Sequence, residues 1–139
     1  MDIFVKFLNK EVVRGLSQEK RSVLIIDDDP SILRTVSRIL TKAGYAVDKA
    51  RTDKEASEQL SSKQYDVALI DVGLGATKGT DLLPLIHEVA PNLFKIIFTG
   101  TPLPESLIDN AKKGADVFLL KPVKPETLLK ILEDNFARK

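Results

Sequence analysis

The chain has 139 residues, 43% hydrophobic and 29% charged, which suits one globular domain around a single core. Its 21 Lys and Arg balance 20 Asp and Glu, so no basic excess marks a nucleic-acid surface, and the absence of cysteine excludes disulfides and thiolate metal sites. No stretch approaches the roughly 20 apolar residues of a membrane span, and no uninterrupted apolar run marks a signal peptide, so a cytoplasmic location is the expectation.

Residues 1–20 form a leader outside the pattern that follows. Phe4, Leu8, Val12 and Leu16 recur every fourth residue with Lys6, Lys10 and Arg14 between them. That spacing fits one amphipathic helix, either for self-association or as a partly ordered segment docked on the domain. The domain proper is expected over 21–139.

Val23 to Ile26 reads as a buried strand. A helix follows, with Asp29 as its cap, Pro30 in its first turn and Gly44 at its end. Its apolar stripe is Ile32, Val36, Ile39, Leu40 and Ala43. Tyr45 to Ala50 alternates and reads as an edge strand. Thr52 and Glu55 form a capping-box pattern for the second helix. Val67 to Ile70 is the next strand, and a helix from about Thr80 to Val89 stops before Pro91. Lys95 to Phe98 is a strand, a helix follows Pro104 and ends at Gly114, and Val117 to Leu120 is the last strand. The final helix follows Pro125 and reaches about Phe136. Apolar runs without alternation suit parallel strands covered on both faces. Strand then helix, repeated along the chain, argues for a doubly wound parallel α/β sheet.

In such sheets ligands bind beyond the carboxyl ends of the strands. The first strand delivers Asp27-Asp28-Asp29 there, the third Asp71, the fourth Thr99-Gly100 and the fifth Lys121-Pro122. Packed carboxylates repel unless a cation neutralises them, and hard oxygen donors suit Mg²⁺ or Mn²⁺. A remaining carboxylate can act as a nucleophile toward phosphorus, with a hydroxyl and an ammonium contacting the phosphoryl oxygens. Gly100 leaves room for a phosphoryl group to approach. Each piece alone is commonplace in turns and caps. Their conjunction, each on its own strand, is specific.

From about Ser22 to Phe136 the chain resembles the receiver domain of two-component response regulators. The resemblance rests on VLIIDDDPSILRTV, YDVALIDVGLGATKGTDLL, KIIFTG and GADVFLLKPV. It implies a flavodoxin-like fold with strand order 2-1-3-4-5 and helices on both faces. It implies Asp71 as phosphoacceptor, Mg²⁺ held by Asp27, Asp28, Asp71 and the backbone carbonyl of Gly73, and Thr99 and Lys121 as the assisting pair. The donor would be the phosphohistidine of a histidine kinase or phosphotransfer protein. Such a domain is no enzyme beyond catalysing its own phosphorylation and dephosphorylation. Movement of Thr99 coupled to Phe118 would switch a protein-interaction surface, with simple core packing as the alternative for Phe118. Ser31, Arg34, Thr35 and Arg38 are the candidate kinase-docking residues.

The sequence departs from the family in the loop after Asp71. Leu74-Gly75 stands where the family has Met-Pro, and Gly73 lacks a side chain to screen the phosphoryl group. A mobile loop and a short-lived phosphoryl group are the expectations, unless Thr101 shields the other side. His87, the single histidine, reads as a helical surface residue. No fused effector is expected, so the output partner is another protein or lies in a larger regulator; no direct nucleic-acid binding is expected, and a homodimer is compatible with the pattern. A pseudo-receiver that binds partners without phosphorylation is the alternative. A phosphohydrolase lacks any insert long enough for a lid.

Overall fold

The computed structural model describes residues 20–71, 79–100 and 114–137. Their elements are β1 (Ser22–Ile26), α1 (Pro30–Lys42), β2 (Ala46–Ala50), α2 (Asp53–Ser62), β3 (Val67–Asp71), α3 (Gly79–Val89), β4 (Phe94–Thr99), β5 (Val117–Leu120) and α4 (Pro125–Ala137). The strands form one parallel sheet in the order β2-β1-β3-β4-β5. This is the doubly wound order expected, with β2 at an edge. The leader, the loop through Gly73, Leu74 and Gly75, Thr101 and the helix expected after Pro104 lie outside the described residues.

Successive residues of a strand face opposite sides, so each central strand feeds two cores. Leu24, Ile26, Ala68, Ile70 and Ile97 pack with Ala56 and Leu60 of α2 and Leu83 and Ile86 of α3. Val23, Ile25, Val67, Leu69, Ile96 and Phe98 pack with Leu33, Val36 and Leu40 of α1 and Leu128, Leu132 and Phe136 of α4. The uninterrupted apolar runs of β1 and β3 follow from this burial on both faces.

The helix signals act as the sequence suggests, with adjustments. Asp29 Oδ1 accepts the Ser31 N–H at 2.9 Å and caps α1. Thr52 Oγ accepts the Glu55 N–H at 3.1 Å, while Glu55 Oε2 reaches past the cap to the Arg51 N–H at 2.7 Å. Gly44, at φ 99°, lets Tyr45 N–H reach the Leu40 carbonyl and its own N–H reach that of Thr41. Those two bonds close the left-handed C-terminal motif that favours glycine. The buried stripe of α1 is rotated from the one expected: Leu33, Val36 and Leu40 are buried, whereas Ala43 is exposed. The helix ends beside β2 at the sheet edge, where Ala43 has nothing to cover.

Candidate functional site at the carboxyl rim of the sheet

Pleat parity brings the chemistry to one side. Ile25 and Phe98 face the α1/α4 core, and Asp71 is aligned with Phe98 across β3 and β4. Asp27, two residues beyond Ile25, and Lys121, the residue after outward-facing Leu120, fall on the same side. Lys121 Nζ lies 3.1 Å from Asp27 Oδ2 and 3.1 Å from Asp71 Oδ1. It also sits 4.9 Å from the Phe98 ring centroid, so an aromatic face flanks the ammonium. The peptide bond from Lys121 to Pro122 is cis.

Asp27 is fully buried and Asp71 nearly so, whereas Asp28 is exposed. Asp27 Oδ1 accepts the Asp29 N–H at 3.0 Å, so the third acid of the triplet holds the first as well as capping α1. The Asp27 N–H in turn donates to the Ala50 carbonyl at 3.1 Å, which fixes the chain as it leaves the sheet. Carboxylate oxygens of Asp27, Asp28 and Asp71 lie within 4.8 Å of one another.

Burial pushes the Asp27 carboxyl up from its ordinary value, and the nearby Asp71 charge adds to that; the bonds from Asp29 and Lys121 pull it down without prevailing. For Lys121, burial works against the charge, but the hydrogen bonds to Asp27 and Asp71 outweigh it and hold the ammonium above its ordinary value. The Lys121 shift reflects one cation between two anions, whereas the Asp27 shift comes chiefly from burial. Three carboxylates and one ammonium leave a formal charge of −2 at an all-oxygen site open on one side. That donor set fits a divalent hard cation, which keeps several waters and uses few protein carboxylates.

Thr99 lies on the other face. It is aligned with Leu120, while Ile97 is aligned with Phe118, so these four share the α2/α3 side of the sheet. Phe118 is 36% exposed and Leu120 61%. Phe118 is therefore at the surface of an edge strand among the described residues, and simple core packing does not describe it. The Lys121 N–H donates to the Thr99 carbonyl at 2.7 Å, joining the two residues through the backbone. A Cβ added at Gly100 would meet nothing within 4 Å, so local crowding does not demand this glycine. Ser31, Arg34, Thr35 and Arg38 are all exposed on α1, and His87 is exposed on α3.

The role of Phe98 was not read from the sequence; its position one residue before Thr99, aligned with Asp71, is the signal that could have found it. Two further polar contacts were missed. Asp66 Oδ2 accepts the Ser22 N–H at 2.7 Å and Asp116 Oδ2 accepts the Lys95 N–H at 2.8 Å, each at the start of a strand. The repeated Asp-Val before β3 and β5 is their sequence signature.

Residues 23–133 match the family model of the response regulator receiver domain. The chain belongs to that family, whose members are signalling modules of two-component systems. It is 36% identical over 118 residues to the phosphoglycerate transport system transcriptional regulatory protein PgtA of Salmonella typhimurium, which covers 85% of this chain and 28% of that protein. The chain thus spans about a quarter of the length of that relative. A receiver domain protein (CheY-like) from Methanospirillum hungatei superposes with a TM-score of 0.81 at 32% identity, covering 86% of this chain and 96% of the other. A response regulator from Burkholderia pseudomallei, solved with a phosphorylated aspartic acid, calcium ion and citrate, gives 0.74 at 29% identity, covering 79% and 65%. No helix among the described residues is long and apolar enough to cross a membrane.

Proposed function

We propose that this chain accepts a phosphoryl group on Asp71 from a phosphohistidine of a histidine kinase or phosphotransfer protein, and that the modified domain switches its binding to a downstream protein or fused effector. The observation that carries the reading is Lys121 Nζ at 3.1 Å from both Asp27 and Asp71, beside a cluster of three carboxylates. An Asp71 carboxylate oxygen attacks phosphorus, the P–N bond of the donor breaks, and the departing imidazole nitrogen takes a proton. The product is an acyl phosphate on Asp71.

Asp27 and Asp28, with Asp71 and the Gly73 carbonyl, would hold Mg²⁺ (or Mn²⁺), which when bound neutralises charge on the incoming phosphoryl oxygens. Lys121 supplies a flexible point charge already oriented by two carboxylates and an aromatic ring. Thr99 contributes a hydroxyl donor, and its movement toward the phosphoryl group is coupled to Phe118 on the same face of β4 and β5. Exposure of Phe118 supports that role, because a surface ring changes position without leaving a hole in the core. The balanced charge and the absence of a membrane-crossing helix among the described residues support work in the cytoplasm with protein partners.

Intact-mass spectrometry after incubation with Mg²⁺ and a small phosphoryl donor tests the chemistry, comparing the native chain with Asp71→Asn. One added phosphoryl group on the native chain alone is expected. No adduct in rapidly quenched samples, with a working positive control, would mean a pseudo-receiver that binds partners without phosphorylation.

A further inference from the structure

At the amino end of the sheet, opposite the carboxylate cluster, a groove of about 410 Å³ opens between the C-terminal ends of α2 and α3. Leu60, Tyr65, Val89, Ala90, Pro91 and Leu93 give it apolar walls, and Lys63, Gln64, Asp66 and Asn92 add polar ones. Its apolar surface continues outward along α3. Val89 is 41% exposed, and Leu85, one turn earlier on the same face, is 36% exposed. Two exposed large apolar side chains in line with a groove mark an interaction surface more than a random surface residue does.

The chain itself leads to this place. Ser22, the first residue of β1, donates through Oγ to the Gln64 carbonyl at 3.2 Å and through its backbone N–H to Asp66 Oδ2 at 2.7 Å. Both acceptor residues line the groove. Ser22 therefore stands at its edge, three positions after Glu19 in the sequence. Within residues 1–19, Phe4, Leu8, Val12 and Leu16 recur at every fourth position, and Lys6, Lys10 and Arg14 fall two residues after the first three. On a helix that offset is roughly 200°, which puts the three cations opposite the apolar row. From Leu16 to Ser22 an extended chain reaches about 20 Å, enough to turn back onto α3.

We propose that the groove and the Leu85–Val89 strip are the docking site of this chain's own residues 1–19, bound as an amphipathic helix through Phe4, Leu8, Val12 and Leu16. The short tether decides between this occupant and others of similar chemistry. It holds the segment at an effective concentration of roughly millimolar, which a second copy or a foreign helix has to exceed. Docking at this end leaves the carboxylate rim open, so the contact is independent of phosphoryl chemistry.

The sequence has no tryptophan, so Phe4→Trp places a single fluorescent reporter on the apolar row of the 139-residue chain. Docking predicts an emission maximum blue-shifted from that of the same variant unfolded in urea, unchanged on dilution. Adding Val89→Lys, or Leu85→Lys as a second exposed site, should move the emission most of the way back while the far-ultraviolet circular dichroism is retained. Emission insensitive to both lysine variants would overturn the proposal. A blue shift that disappears on dilution would overturn it in favour of a second copy as the occupant. Emission already matching the unfolded chain would do the same in favour of an undocked segment open to another protein.

Discussion

Lys121 is the residue on which the charge balance of the rim turns. Removing its ammonium leaves Asp27, fully buried, beside Asp71 without a paired cation among the described residues. Lys121→Met keeps the stem that packs near Phe98 and deletes the charge. In metal-free buffer near pH 7 it should lower unfolding free energy by about 1–3 kcal/mol, read from urea denaturation, since breaking one side of a buried pair leaves a charge uncompensated. The sign of the pH response follows from Asp27. Its carboxyl is raised by burial, so between its unfolded value and its higher folded value the native state binds more protons than the unfolded state. Stability from this group accordingly rises as pH falls through the folded value. Without Lys121 that value climbs further, and the deficit of Lys121→Met should shrink on acidification. A deficit that grows instead would contradict the assignment of Asp27 as the strained group.

At the scale of elements, two aspartates tie the sheet together at its amino end. Asp66 donates its N–H to the Ser22 carbonyl at 2.9 Å while its carboxylate accepts the Ser22 N–H, and Asp116 makes the same reciprocal pair with Lys95. Each therefore satisfies strand-end groups that the ladder leaves over. Asp116→Ala should destabilise by about 1–3 kcal/mol in chemical denaturation, and Asp116→Asn, which keeps an acceptor oxygen, by clearly less. Equal losses would mean that the negative charge, not the hydrogen bond, matters. A second tie joins β2 to the region after α2. Asp48 Oδ2 accepts from Lys63 Nζ at 2.8 Å and from Tyr65 O–H at 2.7 Å. The Lys63 hydrogen bond first, and the Tyr65 one second, hold the Asp48 carboxyl below its ordinary value of 3.8, while burial and then Asp48 push Tyr65 up. A depressed acid contributes stability above its unfolded value and loses it as pH falls through the folded one. The cluster is partly exposed, so the contribution is about 0.5–1 kcal/mol. Below pH 4 the native chain should lose that advantage over Asp48→Asn, which denaturant midpoints at pH 7 and pH 3 would show.

For the molecule as a whole, β1 and β3 were legible because burial on both faces leaves four consecutive apolar residues, a pattern with few other uses. Part of the rim was legible because chemistry and position coincide: Asp27, Asp71 and Lys121 stand at or just past strand ends and meet there, whereas Thr99, at the end of β4, faces the other side. The phase of α1 was less so, because at about 100° per residue Leu33 and Ala43 trade places with a small rotation that only packing decides. Lys95 was hidden inside an apolar run; its stem is buried and its ammonium reaches the Leu93 carbonyl at 2.8 Å, a solution sequence patterning does not register. Nor does one-dimensional pattern show that Asp66 and Asp116 answer strands 44 and 21 residues away.

The same view of the rim yields a prediction for the whole fold. Three carboxylates within 4.8 Å and one ammonium store repulsion that is released on unfolding, so a divalent ion that binds only the native arrangement must raise stability. At free Mg²⁺ about tenfold above its dissociation constant the gain is about 1.4 kcal/mol, or about 3–6 °C in melting temperature for a chain of this size. NaCl at matched ionic strength should give much less, because general screening acts weakly on a buried cluster. Asp28→Asn removes one of the proposed ligands from an exposed position without opening a hole in the core, so its fold should persist while the Mg²⁺ response falls. Lys121→Met should respond more strongly than the native chain, since the ion then replaces the missing charge. Equal Mg²⁺ responses in the native chain and Asp28→Asn, measured by calorimetry, would place the ion elsewhere and leave the three carboxylates dependent on Lys121 alone.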